Sequence, residues 1–141
     1  MSEVEDRQQV VVFYCHDGQG NYLFHKRSEQ CRDEHGCWDC GGGAVHEGET
    51  LEVALYRELD EEYGVIPIEF EELSNSTILR ERNSIKMEHE IHRYRVLVDR
   101  EKVVNNEPEK HTELGWYTMD NLPDPLHSLI PEEIAEFKDK L

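Results

Sequence analysis

The clearest helical periodicity in the chain runs from Leu51 to Tyr63, with no proline or glycine inside it. Leu51, Ala54, Leu55 and Leu59 define one apolar stripe that should face a core. Thr50 precedes the stripe as an N-cap, and Glu49 and Glu52 bring negative charge to the first turn. Gly64 stands where a helix takes a left-handed terminating residue. At about 100° per residue, Glu58 and Glu62 fall inside the apolar stripe, and Glu61 lies on its edge beside Ala54.

Strand-like patterns surround this helix. Val10 to Cys15 is a β-branched and aromatic run fit for a buried strand. His16-Asp17-Gly18-Gln19-Gly20-Asn21 has turn chemistry, and Tyr22 to Arg27 completes a hairpin. Ile66 to Leu73 alternates through Ile66, Ile68 and Phe70, and Asn75 to Arg82 reads as a further strand. After a turn at Glu81-Arg82-Asn83-Ser84, Ile85 to Val98 forms a long strand. Its apolar face shifts from Ile85, Met87, His89 and Ile91 to Tyr94, Val96 and Val98, which predicts a bulge near Arg93. Asn105 to Lys110 is a loop, Leu114 to Met119 a strand, and Asp120-Asn121-Leu122-Pro123 a turn. A closing helix begins near Pro131, with Glu132 and Glu133 in its first turn and Lys138 and Lys140 in its last. Ile134, Phe137 and Leu141 give it an apolar edge. The order predicts an α/β fold with a mixed sheet.

The carboxylates of the first helix break local rules together. They lie in the last turn, where the helix dipole disfavours anions, and Glu58 and Glu62 repel at i, i+4. A solvated acidic helix end would avoid the apolar stripe. A divalent cation reverses each cost, and oxygen ligands suit Mg²⁺ or Mn²⁺. Arg57 is spaced to reach and orient Glu61.

Composition narrows the partners. Lys and Arg total 15 and Asp and Glu total 32, a net charge of −17 over 141 residues. That charge repels nucleic-acid polymers and anionic membranes, but admits a small nucleotide carrying its own metal. The length predicts one domain spanning residues 1–141. Met1 to Gln9 is polar and acidic, no run reaches the length of a membrane span, and Cys15, Cys31, Cys37 and Cys40 read as reduced thiols; a cytoplasmic protein is expected. Cys31, His35, Cys37 and Cys40 have a spacing that zinc sites use, although free thiols flanking a strand are the preferred reading. A homodimer is compatible with the sequence.

The stretch Gly43 to Val65 matches the Nudix box, G-x5-E-x7-R-E-U-x-E-E-x-G-U with U aliphatic, at Gly43, Glu49, Arg57, Glu58, Leu59, Glu61, Glu62, Gly64 and Val65. On those residues the chain resembles Nudix hydrolases, which use metal-activated water to cleave nucleoside diphosphates linked to another group. The resemblance implies an α/β/α sandwich, with Glu58, Glu61 and Glu62 as Mg²⁺ (or Mn²⁺) ligands assisted by the carbonyl of Gly42. It implies Arg57 as the residue that holds the carboxylates, and Glu61 or Glu113 as the base. Arg27, Gly43, His46 and Trp116 are the implied substrate contacts. Read from the residues alone, filling core is the preferred role for Trp116 and a loop histidine without a role is the preferred reading of His46, while Glu113 could equally face solvent and Arg27 could equally be a surface residue.

Trp38 with its trailing glycines is similar to the family's Trp-x-x-Pro-Gly-Gly lead-in, with Gly41 in place of proline. His46 stands where many members carry glutamate. The run Glu107-Pro108-Glu109-Lys110-x2-Glu113-x2-Trp116 resembles a subgroup associated with nucleoside triphosphates. A (deoxy)nucleoside triphosphate cleaved to monophosphate and pyrophosphate is therefore the leading expectation. Nucleoside diphosphate sugars and dinucleoside polyphosphates follow. A non-catalytic nucleotide sensor would have lost box glutamates, and none is lost. A diphosphate isomerase would need a reactive cysteine, for which Cys40 is the nearest candidate.

Overall fold

The computed structural model describes residues 6–141. A seven-stranded sheet is built from β1 (Asp6–His16), β2 (Tyr22–Arg27), β3 (Trp38–Asp39), β4 (Gly41–Ala44), β5 (Glu69–Arg82), β6 (Ile85–Leu97) and β7 (His111–Tyr117). Two helices complete it, α1 (Leu51–Tyr63) and α2 (Ile130–Phe137). β1 and β6 run parallel along their whole length, whereas β1–β4, β2–β7 and β5–β6 are antiparallel, so the sheet is mixed. Strand alternation sends Val11, Phe13 and Cys15 of β1 into one core with Ala54, Leu55 and Leu59 of α1. Tyr14 points the other way, into a second core with Ile130, Ile134 and Phe137 of α2. The helices therefore cover opposite faces, as an α/β/α sandwich requires.

Several boundaries differ from expectation, each for a physical reason. The polar start expected over residues 1–9 lies partly outside the described residues. From Asp6 onward it is strand, held by cross-strand polar pairs rather than by apolar burial. Arg7 bonds Glu88 at 2.7 Å and Gln9 bonds Glu90 at 3.3 Å. The two strands expected between Ile66 and Arg82 are one, β5, and Ile66 and Ile68 lie exposed ahead of it. β7 begins three residues earlier than expected because His111 pairs with Arg27 and Glu113 with Lys26. β4, with three glycines, carries no strand signal, yet its backbone pairs with Val10 to Phe13. A Cβ on Gly41 would lie 2.0 Å from the Phe13 ring, so absence of a side chain is what lets this strand lie there.

The bulge expected near Arg93 is on the other strand. β6 keeps unbroken register with β1, and the irregularity falls between Glu72 and Ser74 of β5, opposite Tyr94 and Arg93. The apolar shift along β6 arises because Arg93 is buried on the α2 face. It pairs there with Glu133, which also accepts from Tyr14 Oη at 2.6 Å, while Arg93 Nη1 donates to Ser76 Oγ at 2.9 Å. α2 ends at Phe137, so Lys138 and Lys140 fall in a following 3-10 turn. No helix among the described residues is long and apolar enough to cross a membrane.

The Arg93–Glu133 pair predicts a large stability loss when one partner is removed. Glu133→Ala leaves a buried guanidinium unpaired and should destabilise the fold by about 3–5 kcal/mol, read from the urea midpoint. The double variant Arg93→Met/Glu133→Leu should lose less than that single one, because no buried charge remains.

Candidate active site

The site is assembled by the ends of α1. Thr50 Oγ1 accepts from Val53 N at 3.2 Å and starts the helix. Gly64, at φ 66°, ends it by donating to Asp60 O at 3.0 Å. Three carbonyls of the last turn are met by the loop 103–106. Val104 N donates to Tyr63 O, Asn106 N to Glu62 O, and Asn106 Nδ2 to Asp60 O. The loop that leads to Glu107, Lys110 and His111 is thus docked on the helix that carries the carboxylates.

Arg57 ties the glycine loop to those carboxylates. Its Nε and Nη2 donate to Glu49 at 2.7 and 2.9 Å, and Nη2 also donates to Ala44 O at 2.8 Å. Nη1 donates to Glu58 at 2.8 Å and more weakly to Glu61 at 3.3 Å. The guanidinium holds the Glu49 carboxyl down at about 2, and the two partners raise the Arg57 pKa in return. The Arg57–Glu61 contact expected from spacing is present, but Glu49 and Glu58 are the stronger partners.

Glu58, Glu61 and Glu62 all line a cleft of about 550 Å³, together with Gly41, Gly42, Gly43 and Ala44 of β4. Their burial differs sharply: Glu62 is 5 % exposed, whereas the Glu61 side chain is 48 % exposed. Burial pushes the Glu62 carboxyl well up, and the charges of Glu58 and Glu107 add to the rise. Burial also raises Glu58, against the pull of Arg57. A Cβ on Gly43 would lie 2.2 Å from Glu58 Cδ, so only glycine leaves this carboxylate its position. Clustered carboxyls that are costly to ionise alone, set against a side-chain-free strand, fit a hard divalent cation as the missing charge.

The other expected residues divide in two. Arg27 lines the cleft and is held by Asp33 and Asp39 at 3.0 and 3.3 Å. Gly42 lines it as well, and its N–H donates to Glu62 Oε2 at 3.1 Å. His46, Glu113 and Trp116 are not among the residues lining the cleft. The His46 side chain is 62 % exposed, and its backbone N–H donates to Glu49 at 2.7 Å. Glu113 is an exposed residue of β7 opposite Lys26. Trp116 packs against the α1-side core with the Arg100 guanidinium 4.7 Å over its ring. The carboxylate that this segment does bring to the cleft is Glu107, with Lys110 beside it.

Two histidines were invisible in the sequence. His25 and His111 line the cleft as a stacked pair with ring centroids 3.7 Å apart, and Tyr63 Oη lies 2.7 Å from His25 Nδ1. Burial lowers both, His25 well below its ordinary value and His111 to about 4, so both rings are neutral at pH 7. The only available signal was a polar residue at the end of the apolar run Tyr22-Leu23-Phe24. Cys40 also lines the cleft, but burial and the charges of Asp39 and Glu133 hold its thiol well above the usual range, unsuited to a nucleophile. Among the described residues, no cysteine belongs to a group that could hold a metal, so the zinc spacing is not used.

The chain is similar to known proteins over nearly its whole length. Residues 6–139 match the NUDIX domain. A search of curated proteins finds no match. The fold is similar to that of a MutT NUDIX hydrolase from Burkholderia pseudomallei, with TM-score 0.74 and 25 % identity over 94 % of this chain and 98 % of that one. It is also similar to a MutT protein from Methanosarcina mazei, with TM-score 0.69 and 22 % identity over 96 % and 95 % of the two chains. DR0079 from Deinococcus radiodurans gives TM-score 0.72 and 21 % identity over 92 % and 82 %. With its box helix on the cleft and the domain matched from end to end, the chain belongs to the Nudix hydrolases, enzymes that act on phosphoric anhydride bonds of nucleoside diphosphate-linked substrates.

Proposed function

We propose that this protein is a Mg²⁺-dependent pyrophosphohydrolase that converts a (deoxy)nucleoside triphosphate to its monophosphate and pyrophosphate. One observation carries the reading: the cleft that holds Glu58, Glu61 and Glu62 is also lined by Arg27, Arg32 and Lys110. The carboxylates suit a hard cation, and the three basic side chains suit the oxygens of a polyphosphate. Lys110 and Glu107 belong to the segment that resembles the triphosphate subgroup, and both border the cleft. That supports a triphosphate over a diphosphate sugar or a dinucleoside polyphosphate.

Glu58, Glu61 and Glu62 would hold the cation. When bound, it supplies Lewis-acid polarisation of a phosphoryl oxygen and a water of lowered pKa. Mn²⁺ would serve the same oxygen ligands. Arg57 keeps Glu58 and Glu61 in place and offsets their mutual repulsion. Gly42 N–H fixes one oxygen of Glu62, leaving the other for the cleft. Glu61 is the carboxylate best suited to take the proton of the attacking water, because it is accessible from the cleft whereas Glu113 lies outside it. Gly43 lets the Glu58 carboxylate lie against the backbone of β4 at the cleft.

Three measurements check the proposal. Pyrophosphate release from a panel of nucleoside triphosphates should require Mg²⁺ and stop with EDTA; uncleaved triphosphates beside cleaved diphosphate sugars would reverse the substrate ranking. Glu62→Gln should reduce turnover more than about 100-fold, beyond the loss typical of a supporting residue. Gly43→Ala should displace Glu58 and lower turnover by about 10–100-fold, and a fully active variant would show that the close approach is not needed.

A further inference from the structure

Glu62 has a second set of neighbours that the phosphate chemistry does not use. One nitrogen from His25, one from His111 and one oxygen of Glu62 lie within 4.8 Å of one another. His111 Nε2 is 3.7 Å from Glu62 Oε1, too long for a hydrogen bond. All three residues are buried and all three line the cleft, so an ion can reach them from it. The two rings stack with their planes 19° from parallel. Tyr63 Oη engages His25 Nδ1, the kind of outer hydrogen bond that orients a ligating imidazole and leaves Nε2 as its donor atom. Gly42 N–H engages Glu62 Oε2 and leaves Oε1 turned to His111. His111 Nδ1 is buried without a hydrogen-bond partner, so this ring gains little from the protein alone.

We propose that His25, Glu62 and His111 form a binding site for a borderline-soft divalent transition metal, with Zn²⁺ as the representative ion and cleft water completing its coordination. Two imidazoles and one carboxylate are a donor set for such an ion, whereas Mg²⁺ takes oxygen ligands. At Zn–N and Zn–O distances of about 2.0–2.2 Å, ligation requires the two imidazoles to turn out of their parallel stack so that both in-plane lone pairs meet one ion, and no hydrogen bond at His111 Nδ1 opposes that turn. Glu62 serves both sites. Zn²⁺ held by the histidines therefore withdraws Glu62 from Glu58 and Glu61 and opposes the Mg²⁺ reaction. The site itself does not depend on which nucleotide is cleaved.

The test uses Co²⁺ as a visible probe on the metal-free full chain, without nucleotide. One equivalent should give the strong visible bands of four- or five-coordinate Co²⁺, displaced by Zn²⁺ and not by excess Mg²⁺. His25→Gln and His111→Gln should each lose those bands while circular dichroism shows a folded chain. His127→Gln, which alters the Asp33–Glu34–His127 cluster instead, should keep them. X-ray absorption of the wild-type protein with one equivalent of Zn²⁺ reads the ligands without any variant and should show two imidazoles. Only the weak bands of octahedral Co²⁺, bands that persist in folded His111→Gln, or a zinc shell without two imidazoles would overturn the site. Because the readout is metal binding, a protein that binds Zn²⁺ this way yet cleaves no triphosphate defeats the functional proposal alone.

Discussion

Everything at this site depends on the Arg57 guanidinium. One planar cation takes Glu49, Glu58, Glu61 and the Ala44 carbonyl at once. Those partners come from the turn before α1, from α1 itself and from the end of β4. The contact therefore does three jobs by one geometry. It closes the loop between β4 and α1, it points two carboxylates into the cleft, and it neutralises part of the repulsion between them. A lysine in this position would supply the charge without the fork.

The protein's acidity and the anionic substrate proposed above are compatible because charge is sorted locally. A net −17 disfavours polyanions at long range. Inside the cleft, Arg27, Arg32 and Lys110 stand with the acidic set, and the neutral His25 and His111 of β2 and β7 add no charge. Recognition of the triphosphate proposed above would rest on a few side chains and a cation, not on the surface as a whole.

The helix and its carboxylates were legible in the sequence because periodicity, capping and a fixed motif all describe local structure. What stayed hidden was set by long-range pairing. β4 could not be read from glycines, since its strand state depends on Val10 to Phe13 accepting a side-chain-free partner. A bulge near Arg93 was expected from the apolar shift, but the shift comes from the buried pair with Glu133 and the bulge is on β5. Glu113 and Glu107 are only six positions apart, and the spacing alone did not tell which one the β2–β7 register turns outward. His25 and His111 lie 86 positions apart, so nothing local announced their stacking.

The loop 103–106 has a consequence for motion. Asn106 and Val104 occupy the last carbonyls of α1, so separating that loop from the helix would expose backbone acceptors in a partly buried place. The acidic helix and the strand carrying His111 therefore behave as one rigid jaw. The segment 28–36 after β2 is tied to that same side, since Arg27 pairs with His111 and Ser28 N donates to Lys110 O at 2.8 Å, while Arg27 itself reaches Asp33 by a half-exposed ion pair. An anion arriving at Arg27 would therefore compete with Asp33 for one guanidinium, which makes this ion pair the point where ligand charge is first exchanged for protein charge.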